Sequence, residues 1–199
     1  MHHTPLRKAL NRGVFHITAG SLPAIGLIIL PRPVLLIVLA SVTVIIVGAE
    51  IVRLLFPPVN EWFFRWFSIL LRQEEKGKLS GASYMLLGYL ITVLLSPVDI
   101  AIPAILFTSL GDSTATLVGI WKGKNKMWGK SIEGNIACLA VCLAIGVIIF
   151  ITTGKPAFTV ILAGAVIASI VQALPLRVND NITICIISAA AMTLIAICI

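Results

Sequence analysis

Ile136-Ala137-Cys138-Leu139-Ala140-Val141-Cys142-Leu143-Ala144-Ile145-Gly146-Val147-Ile148-Ile149-Phe150-Ile151-Thr152-Thr153 carries no charged side chain. At about 20 apolar residues per bilayer crossing, such a run is long enough to span a membrane. Comparable runs occupy 34–48 and 182–199. The whole chain of 199 residues is 59% hydrophobic and only 12% charged, whereas a soluble domain carries roughly a quarter charged residues. An ordinary soluble globular protein is therefore excluded: most of this apolar surface must face lipid or other lipid-embedded helices. The length leaves room for about seven helices and little else, so any chemistry sits on the helices and their short connections.

Seven apolar runs, at about 14–30, 34–56, 81–96, 98–121, 135–153, 157–174 and 181–199, are separated by Pro31-Arg32-Pro33, Ser96-Pro97, Gly154-Lys155-Pro156 and Pro175, residues that end helices. The expected fold is all-α: a single polytopic membrane domain over 1–199 with about seven transmembrane helices. Two of the spans are short, and Pro23 and Pro103 lie inside spans, where kinks or breaks are expected. Between the second and third spans, Asn60-Glu61-Trp62-Phe63-Phe64-Arg65-Trp66-Phe67, continuing to Arg72, alternates aromatic and charged residues in the manner of a short helix lying in the headgroup layer. The four cysteines, Cys138, Cys142, Cys185 and Cys198, fall in apolar runs and read as small core residues, not as a disulfide framework or a zinc site. Met1-His2-His3 does not open a signal peptide, since no small-residue cleavage pattern follows the first apolar stretch; that first span is expected to be retained.

Arg7, Lys8, Arg12, Arg53, Arg65, Arg72, Lys76, Lys78, Lys122, Lys124, Lys126, Lys130 and Arg177 fall on one side of this seven-span arrangement, against Arg32 and Lys155 on the other. The excess of cations places the N-terminus in the cytoplasm. It also accounts for the net charge of +7 without nucleic acid, which is not an expected partner. His16, Glu50, Ser80, Ser83, Asp112, Ser131, Glu133, Asp180 and Asn181 gather on the same side, so function is expected at the cytoplasmic face of a multi-pass membrane protein, in the plasma membrane if the source is prokaryotic.

Asp112, in Ser109-Leu110-Gly111-Asp112-Ser113, is the residue least explained by structure, since a carboxylate inside a span costs about 2.5–3.5 kcal/mol on insertion scales. Glu50 and Arg53, three residues apart, share a helix face and can pair with each other or serve a site; Arg12 and His16 repeat that spacing logic one turn apart. The densest signal is Gly119-Ile120-Trp121-Lys122-Gly123-Lys124-Asn125-Lys126-Met127-Trp128-Gly129-Lys130-Ser131-Ile132-Glu133-Gly134. Lysines interleaved with glycines and ending in Gly-Lys-Ser at a helix start suit a polyphosphate: glycine lets the backbone approach, lysine neutralises charge, and free amides point at oxygens. It is not a Walker A loop, because Lys124 stands where the first glycine belongs and no strand precedes it.

These pieces together resemble the CTP-dependent lipid kinases: dolichol kinase, yeast-type diacylglycerol kinase, phytol kinase and their small prokaryotic polyprenol kinase relatives. The resemblance is carried by Arg12 with His16, Glu50-x-x-Arg53, Ser80-Gly81-x-Ser83-Tyr84-x-x-x-Gly88, Gly111-Asp112-x-x-Ala115-x-x-x-Gly119, Gly123-Lys124 with Lys130-Ser131-x-Glu133-Gly134, and Ala173-Leu174-Pro175 with Asn179-Asp180-Asn181-Ile182-Thr183. It runs nearly the whole chain in order. It departs from the family at Gly13, where a basic residue is usual, and at Gln172, where a glutamate is; Gln172 can hydrogen-bond but brings no charge.

The resemblance implies transfer of the γ-phosphoryl group of CTP to the hydroxyl of a membrane lipid alcohol of polyprenol, dolichol or diacylglycerol type, with Mg2+ or another divalent cation. In that reading Asp112, with Asp180, holds the metal. Lys122, Gly123, Lys124, Lys130, Ser131, Gly134 and Asn181 bind nucleotide, and Arg12, His16, Arg53 and Ser83 face phosphate or substrate. Glu50, Glu133 and Asp180 share the roles of second metal ligand and base. Two alternatives stay open. One is a cytidylyltransferase making a CDP-lipid, a distantly similar CTP user; the other is a small transporter, which should show polar residues reaching both faces.

Overall fold

The computed structural model describes residues 5–68, 70–176 and 178–199. Met1, His2 and His3, and Arg177 among the basic residues that set topology, lie outside the described residues. Among the described residues the chain is almost wholly helical, and five helices are long and apolar enough to cross a membrane: 9–29 within α1 (Pro5–Ile29), α2 (Arg32–Leu55), the composite helix 98–122, α7 (Ile132–Thr153) and α9 (Asp180–Cys198). The chain is thus an all-α, multi-pass type of protein. Its remaining apolar helices are α4 (Gly81–Leu95), of 15 residues, and α8 (Phe158–Ala173), of 16. At 1.5 Å per residue these reach only about 22–24 Å, short of the ~30 Å hydrocarbon core.

The helix limits follow local chemistry. Proline stands at or beside the starts of α2 and of α3 (Pro57–Phe67), where a missing N–H costs nothing. Ser131 caps α7 by accepting from the Gly134 amide at 3.2 Å, and Asn179 caps α9 by accepting from the Asn181 amide at 3.0 Å. Gly154 closes α7 at φ 69°, the left-handed conformation that glycine adopts without strain. The early end of α4 is satisfied from another helix, because Arg32 donates from Nε to the Val93 carbonyl and from Nη2 to that of Leu94, both at 2.9 Å. Arg32 therefore does structural work beyond its weight in the topology count.

Helix α1 continues through Pro23. The composite helix does change at its proline: α5 (Val98–Leu106) holds Pro103 and is followed by a π-type turn, Phe107–Asp112, before α6 (Ser113–Lys122). The amphipathic α3 buries Phe64 while Trp62 and Trp66 stay exposed. Strands β1 (Lys126–Met127) and β2 (Lys130–Ser131) form a small hairpin after α6.

The core lies where α4, α5, α7, α8 and α9 meet, with Tyr89, Phe107, Ile161, Ile184 and Met192 fully enclosed. Cys138, Cys142 and Cys185 are buried as free thiols, but Cys198 is exposed because it ends α9 beyond the packed region, correcting its assignment to the core. Small residues set the closest approaches. A Cβ on Gly111 would stand 2.8 Å from Cys142 Sγ, and one on Gly88 would stand 3.0 Å from the Ile182 backbone. The first locks the turn that ends at Asp112 against α7; the second seats α4 on the start of α9.

Candidate functional site

At one end of the bundle is a cavity of about 540 Å3, within the range that holds small-molecule ligands. Helix α1 contributes Arg12 and His16, one turn apart. The end of the π-type turn and the start of α6 contribute Asp112, Ser113 and Thr116. The segment 72–81 brings Arg72, Glu75 and Lys78, and the hairpin brings Lys130. The start of α9 supplies Asn179, Asp180 and Asn181. Residues from every quarter of the sequence thus meet at one place.

Asp112 owes its position to the wide turn Phe107–Asp112, whose residues Phe107, Thr108, Ser109 and Gly111 are buried. Turns of this kind inside helices recur at functional sites. Among the described residues the Asp112 carboxylate has no hydrogen-bond or ion-pair partner, although four cations, Arg12, Arg72, Lys78 and Lys130, line the same cavity. Asp180, at the first turn of α9, is by contrast engaged: Lys130 Nζ donates to its two oxygens at 2.8 and 2.9 Å and to the main-chain carbonyl of Gln172. Lys130 is thereby held over the α9 N-terminus, and both side chains keep about a quarter of their surface open, at 26% and 29%. Asn181 reaches across to α4, donating from Nδ2 to the Gly81 carbonyl at 2.9 Å, so the N-termini of α4 and α9 converge at the cavity.

The cradle expected over 119–134 is only partly present. Lys130 lines the cavity, but Lys122 and Lys124 are exposed and outside its lining, and Lys122 lies 4.3 Å from the Trp121 ring centroid. Gly123 and Gly134 are outside the cavity lining and allow close packing. A Cβ on Gly123 would stand 2.7 Å from Ser131 Oγ, and one on Gly134 would collide with the Ala115 carbonyl. Ser131 is occupied as the α7 cap and donates to Glu133 Oε2 at 2.7 Å. Glu133 is an organiser of the hairpin, its Oε1 accepting from the amide and the side chain of Asn125, both at 3.1 Å. The physical reason is that glycine serves helix packing as readily as phosphate contact, and sequence spacing does not distinguish the two.

Glu50, Arg53 and Ser83 also lie outside the cavity lining. Glu50 and Arg53 are buried at 4% and 1% exposure and bonded to each other at 3.3 Å. Ser83 is wholly buried, its Oγ without a partner among the described residues. In exchange the structure adds three charged cavity residues that the motif reading passed over: Arg72, Glu75 and Lys78. Glu75 is the carboxylate ahead of α4, accepting from the Gly81 amide at 2.9 Å and from the Arg72 amide at 2.8 Å. An acidic residue shortly before a helix start was the one available signal, since carboxylates favour that position.

No group of three or more His, Cys, Asp and Glu placed to hold a metal occurs among the described residues. Three carboxylates line the cavity; Glu75 is engaged by main-chain amides, which leaves two, one of them without a partner among the described residues, as oxygen donors of the kind a magnesium ion uses when phosphate oxygens and water complete its shell. Asp112 and Asp180 fit that description.

No family model and no solved structure matches the chain. Among curated proteins it is 27% identical over 177 residues to the uncharacterized protein MJ1137 of Methanocaldococcus jannaschii, covering 88% of this chain and 87% of that one. It is 31% identical over 180 residues to the uncharacterized protein RP860 of Rickettsia prowazekii, covering 87% of this chain and 88% of that one. Over nearly its full length, then, the chain belongs to the same family as RP860.

Proposed function

We propose that the protein is a CTP-dependent lipid kinase that transfers the γ-phosphoryl group of CTP to the hydroxyl of a membrane lipid alcohol. The observation that carries this reading is the meeting, in one cavity, of four cations with Asp112, which has no partner among the described residues. Phosphoryl transfer asks a protein mainly for positioning and charge stabilisation rather than covalent chemistry, and this cavity supplies both. Arg12, Arg72, Lys78 and Lys130 bind the polyphosphate, with guanidinium groups suited to two-oxygen contacts and ammonium groups acting as point charges. Asp112 and Asp180 would hold Mg2+, which when bound neutralises charge on the phosphoryl group in transfer. Lys130 has a second task, because its bonds to both Asp180 oxygens fix the orientation of that carboxylate.

The membrane arrangement belongs to the same proposal. With α4 and α8 counted as spans, the chain crosses seven times with its N-terminus in the cytoplasm, following the distribution of Lys and Arg. The cavity then opens at the cytoplasmic interface, where CTP arrives from water and the lipid from the bilayer. An impermeant amine reagent should label Lys155 in intact cells and Lys124 only after permeabilisation.

The activity is tested with CTP labelled at either phosphate, offered with a panel of polyprenol, dolichol, phytol and diacylglycerol acceptors. The γ-label should reach lipid and the α-label should not. Incorporation of the α-label would make the protein a cytidylyltransferase, and incorporation of neither would remove the kinase assignment.

A further inference from the structure

The segment 72–81 places Arg72, Glu75 and Lys78 at the cavity, yet its only regular element is the 3₁₀ turn Gln73–Gly77. Side chains from elsewhere hold its backbone. The carbonyls of Glu75 and Lys78 accept from Arg53 Nη2 at 3.2 and 2.9 Å, and that of Lys76 accepts from Asn60 Nδ2 at 2.8 Å. The Ser80 amide donates to Glu50 Oε2 at 2.6 Å. The three anchoring side chains are themselves joined, since Arg53 donates to Asn60 Oδ1 at 2.9 Å and to Glu50 Oε2 at 3.3 Å. The Arg53 guanidinium also lies 5.3 and 5.5 Å from the ring centroids of Phe63 and Phe64 on α3. A guanidinium buried to this degree needs partners for its donors; here Nη1 serves Asn60 and Nη2 serves Glu50 and two main-chain carbonyls of a segment more than twenty residues away, while Nε has no partner among the described residues. Because these anchors grip backbone, the side chains of Arg72 and Lys78 are left to the cavity.

We infer that Arg53 is a positioning residue which, with Glu50 and Asn60, fixes the backbone of 72–81, sets Arg72 and Lys78 for a polyphosphate ligand, and ties that setting to the seating of α3. The polyphosphate part rests on the proposed function; the anchoring part stands apart from it.

The test uses the purified full chain in bilayer discs, with two readouts: CTP kinetics, and hydrogen exchange of the 72–81 amides. Asn60→Ala removes one anchor without leaving a buried charge unpaired. Arg53→Lys keeps a cation opposite Glu50, but one ammonium cannot span Asn60 and two carbonyls. Ser169→Ala is the control; it removes a 2.9 Å bond to Asn135 between α8 and α7, remote from the segment. Asn60→Ala and Arg53→Lys should raise the KM for CTP roughly tenfold with kcat near wild type, and should speed exchange across 72–81. Ser169→Ala should lower thermal stability while leaving both readouts unchanged.

Wild-type KM and exchange in both anchor variants would overturn the inference, as would an equal rise in KM with Ser169→Ala. If the wild-type chain moves no phosphate from CTP, the proposed function fails by itself. Exchange then decides the anchoring: faster exchange in the two anchor variants alone supports it, and unchanged exchange overturns it.

Discussion

Two basic segments, 72–81 and 122–131, meet at the same end of the bundle and differ in what they deliver to the cavity. The second has the denser signal in sequence, with Lys122, Lys124, Lys126 and Lys130 set among glycines, yet only Lys130 reaches the cavity. The first carries no motif ahead of Ser80-Gly81 at its end, yet brings Arg72, Glu75 and Lys78. The difference lies in what each backbone is tied to. The hairpin is tied to itself and to α6, through Glu133, Asn125 and the close packing at Gly123 and Gly134. The segment 72–81 is tied through its main chain to α2 and α3, which frees its side chains to face the cavity. Charge density shows where a polyphosphate would be attracted; anchorage decides which charges it meets.

The largest expected effect belongs to the residue both segments face. Asp112→Asn keeps the shape but removes a charge that has no partner among the described residues, so CTP turnover should fall by on the order of a thousandfold, about 4 kcal/mol of activation free energy. The variant should insert and purify like the wild type, and wild-type turnover would remove Asp112 from the site. Lys130→Ala comes next. A charge-assisted contact is worth roughly 1.5–3 kcal/mol, so CTP affinity should drop about ten- to a hundredfold, while Lys126→Ala, on the exposed strand, should leave it unchanged.

Gly134→Ala probes the close packing of α7 on α6 just after the hairpin, since its new methyl meets the Ala115 carbonyl. Overpacking of this kind costs about 1–3 kcal/mol, and thermal unfolding should show it. A fully stable variant would mean that Gly134 is kept for ligand approach after all. The smallest effect is expected from Lys124→Ala, which should change the KM for CTP by less than about twofold, as exposed charges away from a contact contribute little.

Much of the fold was legible in sequence because its signals are local. The seven apolar runs match helices or composite helices within a few residues at most ends, Pro31 and Pro97 precede the starts of α2 and α5, and Gly154 ends α7. The start of α1 was read too late, at 14 instead of Pro5, because Arg7, Lys8, Asn11 and Arg12 interrupt the apolar run that marked it. The π-type turn beneath Asp112 has no sequence signature that periodicity detects.

Of the residues singled out from sequence, Asp112, Asp180, Asn181, Lys130, Arg12 and His16 line the cavity; an ionisable or polar residue beside an apolar span is conspicuous. Glu50, Arg53 and Glu133 were equally conspicuous, but only tertiary structure shows that, besides neighbouring side chains, they hold backbone atoms of the segment 72–81 or of the turn at Asn125. Arg72, Glu75 and Lys78 were passed over for the complementary reason: nothing local distinguishes them, and their importance comes from anchors at Glu50, Arg53 and Asn60.

The central claim, that the cations around Asp112 and not the glycine-lysine loop hold the nucleotide, is tested most directly by equilibrium binding of CTP to two double variants of the purified chain. Arg72→Ala with Lys130→Ala removes two cavity cations, and Lys122→Ala with Lys124→Ala removes two loop cations, so total charge changes equally. The first pair should weaken CTP binding by about a hundredfold or more, and the second should bind within about twofold of wild type. Equal losses in the two pairs, or a loss confined to the loop pair, would contradict the account.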